Sequence, residues 1–368
     1  MRIDRITLRA YRWPRDLPIS NGRFTYDDAI TCVVHVHTDD GITGVGLGVG
    51  VMLPLGERAV GGLVEVFDEL LRGLDPLNHE QIAAIMYQPK LLGKRGIETR
   101  VASMIDIALW DIKGQYAALP LFRLLGGARE SIPCYIAGGY YQDDKTIDDL
   151  ANEMVGYVEL GIGAVKMKVG RLSVHDDSER VKAVRAAVGP AIEILVDANG
   201  AYSPSQAARM ARELEKHDVY WFEEPVVSDD LIGNATVSAA SSVPVATGEN
   251  ESTLYGFRDL LRSGGVGVIN PDAEIVGGIT EFMKISALAQ AANISVAPHG
   301  RQELHVHLAC AAPTGIMAEY YRPSVDPMSV VLNPLQPEIR DGRLFAPDRP
   351  GHGMQLDEKA VERYRVFG

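Results

Sequence analysis

Three acidic residues recur at an even pitch in the second half of the chain: Asp197 in Ile194-Leu195-Val196-Asp197, Glu223 in Trp221-Phe222-Glu223-Glu224-Pro225, and Glu249 in Ala246-Thr247-Gly248-Glu249. Each follows a short apolar run, and 26 residues separate each from the next. That pitch is the length of one strand, helix and return loop in a parallel α/β protein. Carboxylates ending three successive parallel strands converge at the C-terminal face of a barrel, and three oxygen ligands at one point are what Mg²⁺ needs. Three helix N-caps or surface acids would explain them singly but not their even spacing. Glu224 competes with Glu223 for the ligand position. Adjacent strand residues face opposite sides, so one of the two points at the metal and the other supports the site or pairs with a nearby lysine.

Other residues carry chemistry at the same level. Lys166 and Lys168 in Val165-Lys166-Met167-Lys168 lie two apart, on one face of a strand. Unpaired ammonium groups do not sit under helices, so the pair is expected at the barrel mouth. There each lysine, together with the metal, disfavours protonation of the other and moves a pKa toward neutrality, as a general base requires. Asp272 ends the segment Ile269-Asn270-Pro271-Asp272, and His299 ends Val296-Ala297-Pro298-His299. Adjacent barrel strands bring them together, so the carboxylate orients the imidazole and raises its basicity. Glu319, after Met317-Ala318, is a further acid at a strand end. In a dry pocket it is expected to stay protonated and donate a hydrogen bond. His305 and His307 fall on the following helix and read as structural.

The elements that must position these groups follow from patterning. Residues 2–12, 31–38 and 42–48 alternate as antiparallel strands, with a turn at Asp39-Asp40-Gly41. Residues 57–73 and 98–117 show helical spacing, and Leu125-Gly126-Gly127 is a stop signal. Strands are expected at 132–137, 163–168, 193–197, 219–223, 244–248, 267–271, 294–298 and 315–319, with helices between them, for example 177–188 and 204–216. The fold class is therefore α/β, a (β/α)-barrel with an N-terminal α+β domain. The expected domains are 1–125 (capping), 126–325 (barrel) and 326–368, a Pro- and Gly-rich tail returning to the cap.

The 368 residues suit a barrel of about 250 residues plus one extra domain. A net charge of −13 argues against nucleic acid and against an anionic membrane surface. The absence of a long apolar run argues against a membrane span. Cys32, Cys134 and Cys310 are odd in number and widely spaced, as in a reduced cytoplasmic protein. The N-terminus alternates like a strand and lacks the apolar core of a signal peptide.

Together these motifs resemble the enolase superfamily, and within it the mandelate racemase subgroup. The resemblance spans nearly the whole chain and includes the helix motif Asp106-Ile107-Ala108-Leu109-Trp110-Asp111-Ile112. It implies a modified (β/α)7β barrel beneath a capping domain, a small-molecule carboxylate substrate chelated to Mg²⁺, and an enediolate formed by loss of the α-proton. By similarity Lys168 is the base on one face, and His299 with Asp272 serves the other. Lys166 binds the carboxylate, and Glu319 hydrogen-bonds one of its oxygens. Asn199, beside Asp197, is expected to touch substrate. Family members assemble into homo-oligomers, a neighbour's cap approaching the site.

Racemase, dehydratase and cycloisomerase chemistry all use this machinery. The expected lid loop, residues 18–26, offers Asn21, Arg23 and Tyr26, which suit hydroxyls or a distal anion, and Arg301 adds to them. Residues 50–54 are expected to form a second, apolar lid, with Gly46, Gly48 and Gly50 permitting hinge motion. Dehydration of a sugar acid, an aldonate or aldarate, to a 2-keto-3-deoxy acid is the expected reaction. A racemase, epimerase or lactone cycloisomerase is the alternative.

Overall fold

The structure is a computed structural model that describes residues 1–49, 56–87 and 96–368. The cap begins with an antiparallel sheet, β1 (Ile3–Ser20), β2 (Thr25–Thr38) and β3 (Thr43–Val49), followed by α1 (Gly56–Leu71), α2 (His79–Met86), α3 (Ile97–Ala117) and the short α4 (Leu121–Leu124). The apolar face of the sheet, including Leu8, Ala10, Val34 and Val36, packs on Val101, Ile105, Ala108 and Ile112 of α3. Gly44, Gly46 and Gly48 all face α3. A Cβ on Gly46 would lie 1.8 Å from the Met104 carbonyl oxygen, and one on Gly44 would lie 2.1 Å from that of Ala108. Gly46 and Gly48 therefore let sheet and helix touch, and they are not hinges. Gly50 and the second lid segment, 50–54, lie outside the described residues.

The barrel alternates β4 (Ser131–Ala137), α5 (Ile147–Val158), β5 (Ala164–Lys168), α6 (Val174–Val188), β6 (Glu193–Asp197), α7 (Pro204–Glu215), β7 (Val219–Glu223), α8 (Leu231–Ser238), β8 (Val245–Thr247), α9 (Thr253–Arg262), β9 (Val268–Ile269), α10 (Gly278–Ala291), β10 (Ser295–Val296), α11 (Gln302–Ala311) and β11 (Ala318–Tyr321). Strands β4 to β10 pair in parallel in chain order, and β11 pairs β4. A parallel bridge from Val296 to Gly315, just ahead of β11, closes the ring. The last strand runs on to Tyr321, beyond the expected end at 319, because its register against β4 continues through Tyr320 and Tyr321.

Strand alternation sorts the side chains. Tyr135, Ala164, Leu195, Trp221, Ala246, Val268 and Ala297 fill the inside of the barrel. Ile136, Val165, Met167, Val196 and Phe222 face the helix layer. Helix starts follow local chemistry: Thr146 and Asp149 form a capping box on α5, Ser173 caps α6, and Ser203 precedes Pro204 at α7.

The tail contributes to both domains. After α12 (Pro327–Leu332), β12 (Ile339–Arg340) and β13 (Arg343–Phe345) form a hairpin that joins β4 antiparallel. After α13 (Glu358–Val361), β14 (Arg365–Phe367) pairs β1 in the cap. The tail thus extends the barrel sheet before it reaches the cap.

Among the contacts that fix cap to barrel, two matter most for the site. Asp106 of α3 is buried and accepts from the Thr280 N–H (2.9 Å) and hydroxyl (2.6 Å), so it caps α10 from another domain. The Trp110 indole N–H donates to the same hydroxyl at 2.9 Å. The second contact is the β1–β2 hairpin. Residues 18–26 form ordered strand ends with a short tip, not a loop, because the ladder continues through Ile19↔Tyr26 and Ser20↔Thr25. Ser20 and Tyr141 exchange two backbone hydrogen bonds, of 3.0 and 2.9 Å. Gly22 sits so close to the loops after β5 and β6 that a Cβ would be 2.5 Å from the Ala198 carbonyl oxygen.

Gly46→Ala drives a methyl into helix backbone and should cost about 3 kcal/mol. Gly62→Ala, on the exposed side of α1 with open space around it, should stabilise by about 0.5–1 kcal/mol. Urea denaturation of the two variants checks the pair of signs.

Candidate active site

Strand register decides which side chains share a level. Lys168 pairs with Asp197 and Asp197 with Glu223 across β5, β6 and β7. All three point inward, as do Lys166 one level below and Glu249 just beyond β8. Asp197, Glu223 and Glu249 present oxygens that lie within 4.8 Å of one another. Asp197 and Glu223 are fully buried, and the Oε2 of Glu249 has no hydrogen-bond donor. Three buried carboxylates, one with an unmet oxygen, form a hard-oxygen donor set that suits a divalent cation such as Mg²⁺.

The cost of gathering these charges shows in their protonation. Burial pushes the Glu223 carboxyl up to about 7; Lys166 opposes this, while Asp197, Glu319 and Glu249 reinforce it. Glu224 is pushed well above the usual carboxylate range by burial and by Glu249. Its φ is left-handed, 37°, and Asp197 and Glu223 add to the effect of Glu249 on it. Its partner is the Asn250 side-chain amide at 2.9 Å, not a lysine.

The two lysines are held by carboxylates. Lys166 Nζ lies 2.9 Å from Glu223 Oε1 and 2.6 Å from Glu319 Oε1, and Lys168 Nζ donates to Asp197 Oδ2 at 2.5 Å. Lys166 stands 5.3 Å over the Tyr135 ring and Lys168 5.2 Å over that of Tyr140. Burial alone would lower both lysines, but Glu223 and Glu319 hold Lys166 well above its ordinary value, and Asp197 does the same for Lys168. The expected shift toward neutrality is absent among the protein groups alone. Their mutual repulsion is smaller than the pull of the neighbouring acids.

Glu319 also departs from expectation. Burial would raise its carboxyl, but Lys166, His299 and the Gly300 N–H (2.9 Å) bring it down to about 2. It is ionised and accepts hydrogen bonds. It therefore anchors Lys166 and the Gly300 turn, and it does not donate.

Asp272 and His299 meet as expected. His299 Nδ1–H donates to Asp272 Oδ2 at 2.9 Å, and Nε2 faces the mouth, 3.5 Å from Glu249 Oε2. Burial would lower the imidazole, but Glu249, Asp272 and Glu319 raise it well above its ordinary value. His305 buttresses this pair. Its Nε2 accepts the Ala273 N–H at 2.9 Å and lies 3.3 Å from Asp272 Oδ1. His307 is buried among α4 and the tail and accepts from the Phe122 N–H at 3.3 Å, a structural role.

The remaining candidates divide. Asn199, with φ 47°, donates its N–H to Asp197 Oδ1 at 2.8 Å, while its side-chain oxygen is buried without a partner beside the trio. Tyr26 lies close enough to feel Lys168, and burial pushes its phenol up to about 12. Asn21 is spent inside the hairpin: its oxygen accepts from the N–H groups of Arg23 (2.8 Å) and Phe24 (2.7 Å), and its amide donates to the Tyr26 hydroxyl at 3.0 Å. Arg23 is exposed and stacks on Phe24 at 5.1 Å. Arg301 is buried against Glu274 at 2.5 Å, so its charge is already met.

Pattern reading missed Tyr135, Tyr140, Trp221 and Arg180. Trp221 donates its indole N–H to Glu223 Oε2 at 3.0 Å, and its inward alternation with Glu223 was the available signal. Arg180, on a helix, donates to the Lys168 carbonyl at 2.8 Å. Nothing in its local sequence marks that contact.

Residues 3–126 match the N-terminal domain of the mandelate racemase/muconate lactonizing enzyme family, and residues 149–360 match the enolase C-terminal domain-like family. The 3,6-anhydro-alpha-L-galactonate cycloisomerase of Streptomyces coelicolor is 36% identical, over 99% of this chain and 99% of that protein. The L-talarate/galactarate dehydratase of Salmonella typhimurium is 35% identical, over 89% of this chain and 81% of that protein. The crystal structure of L-talarate dehydratase from Polaromonas sp. JS666, complexed with Mg and L-glucarate, superposes with a TM-score of 0.90 at 33% identity, covering 100% of this chain and 98% of that one.

A proton on the acidic cluster competes with a metal ion, and Glu223 holds its proton up to about pH 7. Raised above its unfolded value, this group costs stability as pH rises through that point, and a bound cation relieves the cost. Added MgCl₂ should therefore raise the Tm more at pH 8 than at pH 5.5, and Glu249→Gln should shrink the shift at both. Thermal melts with and without the salt check this.

Proposed function

Because the chain belongs to the mandelate racemase/muconate lactonizing enzyme family of the enolase superfamily, we propose that it is a Mg²⁺-dependent sugar-acid dehydratase. It removes the proton α to the carboxylate of an aldonate or aldarate and expels the β-hydroxyl, leaving a 2-keto-3-deoxy acid. One observation carries this reading. Lys168 on β5 and the His299–Asp272 pair after β10 flank the mouth from opposite sides, with the carboxylate trio of β6, β7 and β8 between them.

Asp197, Glu223 and Glu249 would hold the metal. Mg²⁺ held there would supply positive charge that stabilises charge developing on the substrate carboxylate. Lys166, fixed by Glu223 and Glu319, presents a permanent cation to that carboxylate. Lys168, as the neutral amine after giving its extra proton to solvent, accepts the α-proton. On the other face Asp272 keeps the proton of His299 Nδ1 in place, so Nε2 is the atom that delivers a proton to the departing hydroxyl. Tyr135 beneath Lys166 and Trp221 beside Glu223 exclude water from below.

The same two-sided site suits a lactone cycloisomerase, in which the group across from the base acts on a ring oxygen. The end-to-end match to the Streptomyces coelicolor cycloisomerase favours this as the second reading. The proposal further includes a cytoplasmic homo-oligomer. Among the described residues no helix is long and apolar enough to cross a membrane.

Incubation of the Mg²⁺-loaded protein with a sugar-acid library, scored as semicarbazones of 2-keto acids, should give a positive dehydration signal. A blank library with a lactone consumed would establish the cycloisomerase instead. Lys168→Ala should lower kcat by about 10³-fold. His299→Asn should lose keto-acid formation yet retain exchange of the α-proton in D₂O, because Lys168 still reaches its own face. Equal loss of both signals in that variant would remove His299 from the second face.

A further inference from the structure

Between the cap sheet and the barrel mouth lies a cavity of about 210 Å³. Tyr140, whose ring carries Lys168 at 5.2 Å, forms part of its wall, so the cavity adjoins the reacting centre. The far wall comes from β1. Trp13 and Arg15 both line it, two positions apart on one strand and hence on one face.

Both carry unmet donors. Trp13 is 4% exposed, and its indole N–H is buried without an acceptor. The Nε–H of Arg15 is likewise buried without one. The guanidinium donates from Nη1 to the Val325 carbonyl, and among the described residues it forms no salt bridge. The other charged groups of the cavity are matched. Arg301 is held by Glu274 at 2.5 Å, and Asp28 is held by Arg12 at 2.7 Å. Asp326 accepts the Ser329 N–H at 3.3 Å; burial pushes its carboxyl up, while Arg301 and, more weakly, Arg15 pull it down. Among the described residues the cavity therefore offers one guanidinium outside salt-bridge contact with any acid and a second N–H on the same strand. A hydroxyl satisfies a donor but leaves a poorly solvated cation uncompensated. A carboxylate does both.

We propose that Trp13 and Arg15 form a subsite for a second carboxylate, at the far end of a dicarboxylic sugar acid. This rests on the sugar-acid reading above and narrows it to the aldarate class. Arg15 thereby takes the role of distal-anion ligand expected of Arg23 and Arg301. Of those two, Arg23 is exposed at the hairpin tip and Arg301 is already paired.

Isothermal titration of the Mg²⁺-loaded protein with adipate and with hexanoate tests the subsite without turnover. The two ligands share a six-carbon chain, and neither has a hydroxyl to eliminate. Adipate should bind at least about 10-fold tighter, and the gap should narrow with added salt. It should close in Arg15→Gln and shrink in Trp13→Phe. Equal or tighter binding of hexanoate by the parent protein overturns the subsite, as does a gap that survives in folded Arg15→Gln. If Arg15→Gln does not fold, an unchanged gap in Trp13→Phe overturns it. A preference for adipate in a protein that makes no keto acid from any sugar acid would sink the dehydratase reading and leave the subsite standing. Turnover of sugar acids without that preference would sink the subsite alone.

Discussion

The crowding of negative charge at the barrel mouth is the constraint on which the rest of the molecule turns. Asp197, Glu223, Glu249 and Glu319 gather in a space largely cut off from water, where like charges repel strongly. Lys166 offsets part of that repulsion by bridging Glu223 and Glu319, and Lys168 by pairing with Asp197. Burial, with the remaining repulsion from Asp197, Glu319 and Glu249, raises the Glu223 carboxyl. A divalent cation completes the balance. Lys168, the base of the proposed mechanism, is held as an ammonium by Asp197, one of the three carboxylates proposed to hold the metal.

Such a cluster survives only in a frame that does not yield. Closed parallel pairing from β4 to β11 sets the levels of the inward side chains. Tyr135 and Trp221 meet edge to face at 5.4 Å under the site and deny it a water channel from below. Outside the barrel, Arg180 ties the ends of β4 and β5 through the Gly139 and Lys168 carbonyls. His305 holds the turn after Asp272 by accepting the Ala273 N–H. Catalytic geometry here depends on residues that never touch substrate.

The cap is coupled to this frame at two distant points. Asp106 caps α10 of the barrel, and the β1–β2 hairpin is stitched to Tyr141 and wedged by Gly22 onto the loops after β5 and β6. β1 therefore reaches the mouth, where Trp13 and Arg15 form one wall of the cavity. On the proposed reading, the far end of the substrate is recognised by the cap and the chemistry at the near end is done by the barrel.

Much of this was legible in the chain itself. Apolar runs ending in Asp197, Glu223 and Glu249, the Lys166/Lys168 pair and the Asp272–His299 relation follow from strand period and repeat length, both of which are local and regular. Strands β4 to β7 fall within a residue of the expected bounds for the same reason. Charge state and partner choice were decided elsewhere. Whether Glu319 is a neutral donor or an ionised anchor depends on Lys166 and Gly300, which lie far from it in sequence. Arg301 looks available until Glu274 is seen beside it, and Arg15 looks like an ordinary strand arginine until its unmet Nε–H is found in the cavity wall. The residues between 18 and 26 lack a strong strand pattern, and only pairing across the hairpin and onto Tyr141 makes them rigid. Periodicity determines which face a side chain takes. The field and hydrogen bonds it meets there are set by neighbours brought together only when the chain closes on itself.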